Sequence, residues 1–202
     1  MKKIVFGLLT TLTVITYSCN NNASNKQTAE QTPTTQLAED NTEVKMVKAS
    51  FTNVDAGVAT YMKQLTDNYL QIKNALVGGK AEEAGNAAKK LSAAIKGFDK
   101  SLLAADQKKV YDQYEAGLKE NAEHIAQSSN NLEHQRERFA DMSEGLYAVV
   151  KAFGGGKTLY HDHCPMAKNG NGAMWLSETK EIKNPYFGEK MMECGEVEEE
   201  IQ

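Results

Sequence analysis

Between residues 54 and 153 apolar side chains recur at intervals of three and four, the spacing of one helical face. Val54, Val58, Tyr61, Leu65, Tyr69, Ile72 and Leu76 mark a first helix, ended by Gly78 and Gly79. Ala84, Ala88, Leu91, Ile95 and Phe98 mark a second, whose small residues permit close approach of a neighbour. Leu103, Val110, Tyr114, Leu118 and Ile125 mark a third, opened by Asp106 or a nearby cap. Leu132, Phe139, Met142, Leu146, Val149 and Phe153 mark a fourth, stopped by Gly154, Gly155 and Gly156. Short connections favour antiparallel neighbours. The expected fold is therefore mainly α, an antiparallel four-helix bundle over residues 50–156.

From Lys157 onward the helical period is lost. Two of the chain's three prolines, its only Trp and the glycines at 170 and 172 fall in this stretch. Residues 157–202 are expected to form a small irregular C-terminal appendage with short strands or turns, packed on the bundle. So short a segment rarely holds a core without a metal or a disulfide. Trp175 is the expected packing anchor. Arg136, beside the apolar stripe of the fourth helix, is the expected clamp between bundle and appendage.

The first residues have a different texture. Lys2 and Lys3 precede an apolar run from Ile4 to Ile15, and small residues lead to Cys19. About 12 apolar-dominated residues suit a signal segment and fall short of the roughly 20 that span a bilayer. Residues 1–18 are expected to be a lipoprotein signal peptide, with Cys19 lipidated as the mature N-terminus. Thr16 and Tyr17 depart from the usual lipobox, which leaves ordinary signal cleavage as the alternative. Residues 20–49 are polar and of low complexity, so 19–49 reads as the lipidated residue and a disordered tether. The expected location is the cell envelope, anchored to the membrane through the lipid on Cys19 and facing the periplasm. The formal net charge of −4, two units more negative without Lys2 and Lys3, gives no reason to expect nucleic acid as a partner.

Two clusters carry the candidate chemistry: His161-Asp162-His163-Cys164-Pro165-Met166 and Met191-Met192-Glu193-Cys194-Gly195. Thiolate and thioether sulfurs are soft donors, a combination suited to Cu(I) or Ag(I). Pro165 disfavours a helical Cys164, so Cys164 and Met166 are expected on an extended segment, projecting to one side. Met191 and Cys194 are expected on one face of a single helical turn, started by the cap-and-proline pair Asn184-Pro185. The expected metal residues are Cys164, Met166, Cys194, His163 and Met191, with His161 and Met192 as further candidates. Two other readings stay open: a structural Cys164–Cys194 disulfide, and a zinc site of the two cysteines with His161 and His163. Glu196, Glu198, Glu199 and Glu200 read as a solvated acidic tail. His124 and His134 read as helix-flank residues. Gly155-Gly156-Lys157-Thr158 lacks the first glycine of a phosphate loop and follows a helix, which rejects that motif. No C-x-x-C is present to suggest a thiol oxidoreductase.

The string from Leu159 to Ala167, with its Cys164-Pro165-Met166-Ala167, resembles the CPMA motif of a family of periplasmic proteins of unknown function. Met174 to Ser177, Glu181 to Gly188 and Lys190 to Val197 resemble the rest of that family's C-terminal pattern. Gln135-Arg136 with Phe139 and Ser143 is similar to its helical signature. The family also occurs as a terminal domain on heavy-metal efflux adaptors of the CusB type. The resemblance implies copper or silver handling in the periplasm, with Cys164, Met166 and Cys194 as metal-site residues and His163 at a matching position. The expected function is non-enzymatic: Cu(I) binding for homeostasis or hand-off to an efflux adaptor. The alternative is an envelope interaction module stapled by a disulfide.

Overall fold

A computed structural model describes residues 44–202 of the chain. The elements are β1 (Lys45–Val47), α1 (Ala56–Val77), α2 (Ala81–Gly97), α3 (Ala105–Gln127), α4 (Leu132–Phe153), β2 (Leu159–Cys164), the single turn α5 (Ala167–Gly170), β3 (Ala173–Ser177) and β4 (Glu196–Ile201). Short 3-10 turns occur at Lys100–Leu102 and Gly188–Lys190. The expected signal segment, Cys19 and the tether as far as residue 43 lie outside the described residues. Among the described residues no helix is long and apolar enough to cross a membrane.

The helix ends follow from local chemistry. The Asp55 carboxylate accepts the Gly57 N–H at 2.7 Å, and Asn131 Oδ1 accepts the His134 N–H at 3.1 Å, each satisfying an orphan donor of the first turn. At the start of α3, Gln107 Oε1 reaches back to the Ala104 N–H at 3.1 Å. Gly154, with φ +83°, ends α4 in a conformation that a side chain disfavours.

The four long helices form the predicted bundle, and the contacts fix its directions. Tyr61 near the start of α1 stacks on Phe98 just past α2, with centroids 3.8 Å apart. Lys96 near the end of α2 pairs with Glu123 of α3 at 2.8 Å, while Gly85 near its start lies against Ser129 just past α3. Gln135 at the start of α4 donates to Ile125 O near the end of α3 at 3.0 Å. Arg136 donates to Leu76 O near the end of α1 at 3.0 Å. Around the ring, each helix start meets its neighbour's end, so the helices run antiparallel. The predicted faces are the buried ones: Leu65, Tyr69, Ile72, Leu91, Ile95, Leu118, Ile125, Phe139 and Leu146 lie in one core. Val54, Phe98 and Leu103 flank their helices rather than belonging to them.

The C-terminal part differs from the expected irregular appendage. It is a four-stranded sheet of order β1-β4-β2-β3, with β1 parallel to β4 and the other two pairings antiparallel. Leu159, Trp175, Leu176 and Ile201 are buried in the same core as the helices. β1 comes from the segment expected as tether, so a strand of the sheet lies before residue 50. The acidic tail is a further correction, since β4 lies inside the sheet. Glu199 is buried, accepting from Tyr147 Oη at 2.6 Å and pairing with Lys45 at 3.2 Å and Lys151 at 3.4 Å. Glu200 pairs with Lys180 at 3.2 Å. These partners lie far away in sequence, which is why the glutamates alone read as solvated.

One buried hydroxyl ties the sheet to the bundle. Tyr69 Oη of α1 accepts the Leu176 N–H of β3 at 3.0 Å and lies 2.7 Å from Ser143 Oγ of α4. Ser143 Oγ donates in turn to Phe139 O at 2.7 Å, so Tyr69 is the donor of the shared bond. Tyr69→Phe removes this hydroxyl and strands a buried N–H. We expect the variant to lose about 1–3 kcal/mol of stability, read from the urea unfolding midpoint.

Candidate metal centre

Cys164 closes β2 and is fully buried, while Cys194 sits in the loop before β4 and is partly exposed. Their sulfurs lie 2.7 Å apart, each a free thiol. The two sequence clusters thus converge at their cysteines. The loop carrying Cys194 is held by Asn184, a fully buried residue that the sequence showed only as a cap. Its Oδ1 accepts the Tyr186 N–H at 2.8 Å and the Phe187 N–H at 3.1 Å, the expected cap. Its Nδ2 donates to Cys194 O at 2.6 Å, and its N–H donates to Met192 O at 2.8 Å. Gly195 completes the approach. A Cβ there would stand 2.8 Å from Trp175 Cη2 and 2.9 Å from His163 O, and its φ is +147°. Only glycine lets the chain pass from Cys194 into β4 at this separation.

The methionines are not where the sequence predicted. The chain turns at Pro165, and Met166 is the helical residue that caps α5 (φ −86°, ψ −13°) rather than an extended partner of Cys164. Its side chain is 54% exposed and lines a cleft of about 420 Å³ between α4, α5 and the loop that follows β3, together with Arg136, Lys168, Tyr186, Phe187 and Lys190. Met191, with φ −150° and ψ 57°, is not helical. The Cys194 N–H donates to its carbonyl at 3.1 Å, so a reverse turn replaces the expected helical turn. Met191 and Met192 are half-buried in it. Arg136 spends its hydrogen bond inside the bundle, on the C-terminal carbonyl of α1, and reaches the C-terminal part only by packing against Gly188.

The histidines separate from the thiols. Successive residues of a strand project to opposite faces, so His163 and Cys164 diverge. His163 Nδ1 lies 3.5 Å from Glu198 Oε1, and His161 Nδ1 lies 3.2 Å from Glu198 Oε2. The ring of His161 stacks on Tyr147, with centroids 4.3 Å apart. Burial pushes the His161 imidazole down to about 4, so it is neutral at neutral pH. His163, Glu196 and Glu198 place a ligand atom each within 4.8 Å of one another. The glutamates were missed as site residues. His161-x-His163 and Glu196-x-Glu198 are both spaced by two, a signal that becomes readable only if both segments are taken as strands.

Residues 65–158 match the family described as "Protein of unknown function (DUF3347)". The match runs from within α1 to the residue before β2, so neither cysteine falls inside it. No curated protein and no solved structure matches the chain.

The pairing of the thiols has a chemical consequence. The hydrogen bond with Cys164, joined by burial, pushes the Cys194 thiol up to about 11, against a smaller opposing effect of the Met166 main chain. A raised thiol pKa leaves less thiolate at pH 8 than a free cysteine has, and the thiolate is the nucleophile. We expect Cys194 in reduced protein to be alkylated by iodoacetamide more slowly than a free thiol at pH 8, its rate climbing with pH toward 11. Peptide mass mapping after timed quenching would show a rate level by about pH 10 if the thiols act independently.

Proposed function

We propose that the chain is an envelope lipoprotein, not an enzyme, that binds Cu(I) between Cys164 and Cys194 and passes it on, with a heavy-metal efflux adaptor as the receiving partner. The observation that carries this reading is the meeting of two free thiols, 2.7 Å apart, from two methionine-bearing loops. Two thiolates suit a soft monovalent ion, and such an ion tolerates few ligands. The exposed Met166 beside the pair is the natural exchange ligand, a thioether that can take and release the ion without titrating. Deprotonation of the pair would accompany capture, so binding would strengthen as pH rises. The separation of His163 from Cys164 favours this over a tetrahedral zinc site of two cysteines and two histidines, which would need both rings on the thiol side of β2.

The second reading is a structural disulfide between the same cysteines, supported by the same close approach. It requires no metal and makes Met166 a bystander. The two readings part in one experiment. Reduced protein should compete for Cu(I) with a colorimetric chelator under anaerobic conditions, lose that ability in Cys164→Ser or Cys194→Ser, and be weakened several-fold by Met166→Leu, which keeps volume and apolar character. Failure of the wild type to compete, or two fully bridged cysteines in protein taken directly from copper-stressed cells, overturns the copper reading.

The location is testable separately. A lipid chain contributes about 0.8 kcal/mol per buried CH₂, and stable anchoring needs such chains or a second membrane-binding element. Cys19→Ala should move the mature chain from the membrane pellet to the soluble envelope fraction. A variant that still sediments with membranes after a high-salt wash would sink the lipid anchor.

A further inference from the structure

The antiparallel pairing of β2 with β4 contains an irregularity that serves no obvious packing purpose. His161 pairs with Glu199 and Asp162 with Val197, so the register passes over Glu198. Glu198 is thus the extra residue of a β-bulge, a device that re-aims one side chain. Here the bulge turns the Glu198 carboxylate between two rings of the opposite strand. One oxygen lies 3.2 Å from His161 Nδ1 and the other 3.5 Å from His163 Nδ1.

The two rings are held for this encounter. His161 is only 8% exposed, stacked on Tyr147, and its Nδ1 is enclosed with no hydrogen-bond partner despite the nearby carboxylate. A buried ring nitrogen with no bond is costly unless something else completes it. His163 is held from the other side. A Cβ on Gly172 would stand 2.6 Å from its Nε2, so Gly172 packs on that edge and Nδ1 is left toward Glu198. Glu196 supplies a second carboxylate at the rim.

We propose that His163, Glu196 and Glu198, whose ligand atoms lie within 4.8 Å of one another, form a site for a borderline divalent metal ion of the Zn²⁺ class, with the enclosed Nδ1 of His161 as a fourth donor drawn in from beside Glu198. Imidazole and carboxylate are the donors such ions prefer. Ligands bound at about 2.0–2.1 Å around a tetrahedral ion stand roughly 3.3 Å apart, so the donors would close in on an arriving ion, each ring starting 3.2–3.5 Å from a different oxygen of Glu198. The stacked Tyr147 then acts as an orienting neighbour of a ligand ring. This site shares no ligand with the thiol pair, so it stands or falls independently of the copper reading.

The chain carries a competing pair, since its other two histidines, His124 on α3 and His134 on α4, stand with ring centroids 6.1 Å apart, each near a glutamate, and the proposed site must outbind them. The test uses Zn²⁺ with the full chain carrying Cys194→Ser, which removes the thiol pair from competition. One equivalent of Zn²⁺ should shift the imidazole nitrogen resonances of His161 and His163 and leave those of His124 and His134 in place. Glu198→Gln, at a side chain 42% exposed, should weaken Zn²⁺ binding about tenfold or more by calorimetry, and His163→Gln should do the same. Far-ultraviolet circular dichroism of each variant guards against loss of fold. The proposal is overturned if millimolar Zn²⁺ leaves His161 and His163 unshifted, if His124 and His134 respond in their place, or if folded Glu198→Gln binds as tightly as its parent.

Discussion

The hydroxyl of Tyr69 holds three elements in one arrangement, and the thiol pair depends on it. A buried N–H and a buried hydroxyl both need partners. Ser143, in the interior of α4, spends its own proton on the carbonyl of Phe139 one turn earlier. Its oxygen is thereby free to accept from Tyr69, whose oxygen in turn accepts from Leu176. The chain of bonds fixes β3 against α1 and α4. β3 then sets β2, because Ala173 is the register partner of Cys164. Trp175 on the same strand sets the approach of Gly195, and with it Cys194. The two sulfurs meet because the sheet is bolted to the bundle at Tyr69, a polar point buried within an apolar core.

A second polar cluster lies behind the sheet. Lys73 of α1 is buried, paired with Glu178 at 2.8 Å and within 3.5 Å of Ser177 Oγ. Asp162 is fully buried opposite Trp175 in the β2–β3 register, and burial pushes its carboxyl up to about 8 while Lys73 pulls it back. A charge pair of this kind adds little net stability against an apolar replacement. It does restrict how β2 can slide, because a shift of one residue would put Asp162 on the other face and send Cys164 away from Cys194.

Residues 54–153 were legible because the helices take their cores from a local period. The Tyr69, Ile72 and Leu76 stripe is visible without knowing what it faces. β2 gave no comparable signal. Leu159, His161, Asp162 and Cys164 are all buried, so the strand lacks the alternation of a half-exposed one. β4, Glu-Val-Glu-Glu-Glu-Ile, looked like a solvated end because its glutamates are answered by Lys45, Lys151, Lys180 and the histidines, none of them local. The convergence of the cysteines was readable from their paired motifs. The position of Met166 was not, because Pro165 constrains the residue before it and leaves the residue after free to turn. The matched segment 65–158 covers most of the legible part and stops close to where legibility stops.

What separates the two donor sets is a feature as simple as strand alternation. His163 and Cys164 are neighbours in sequence and project to opposite faces of β2. On one face the sulfurs of two loops meet with no nitrogen donor assigned to them. On the other, a bulge supplies the carboxylate that the rings would otherwise lack. A mixed set of sulfur and nitrogen donors would bind many ions and discriminate poorly among them, since affinity alone follows a fixed order across metals. In the proposed reading, donors sorted by softness onto the two faces of one strand would give each face a preference of its own. The cost is structural precision. A single inserted residue between His163 and Cys164 would turn both onto one side, merging the sets, and it would break the β2–β4 register that holds Glu198 between the rings.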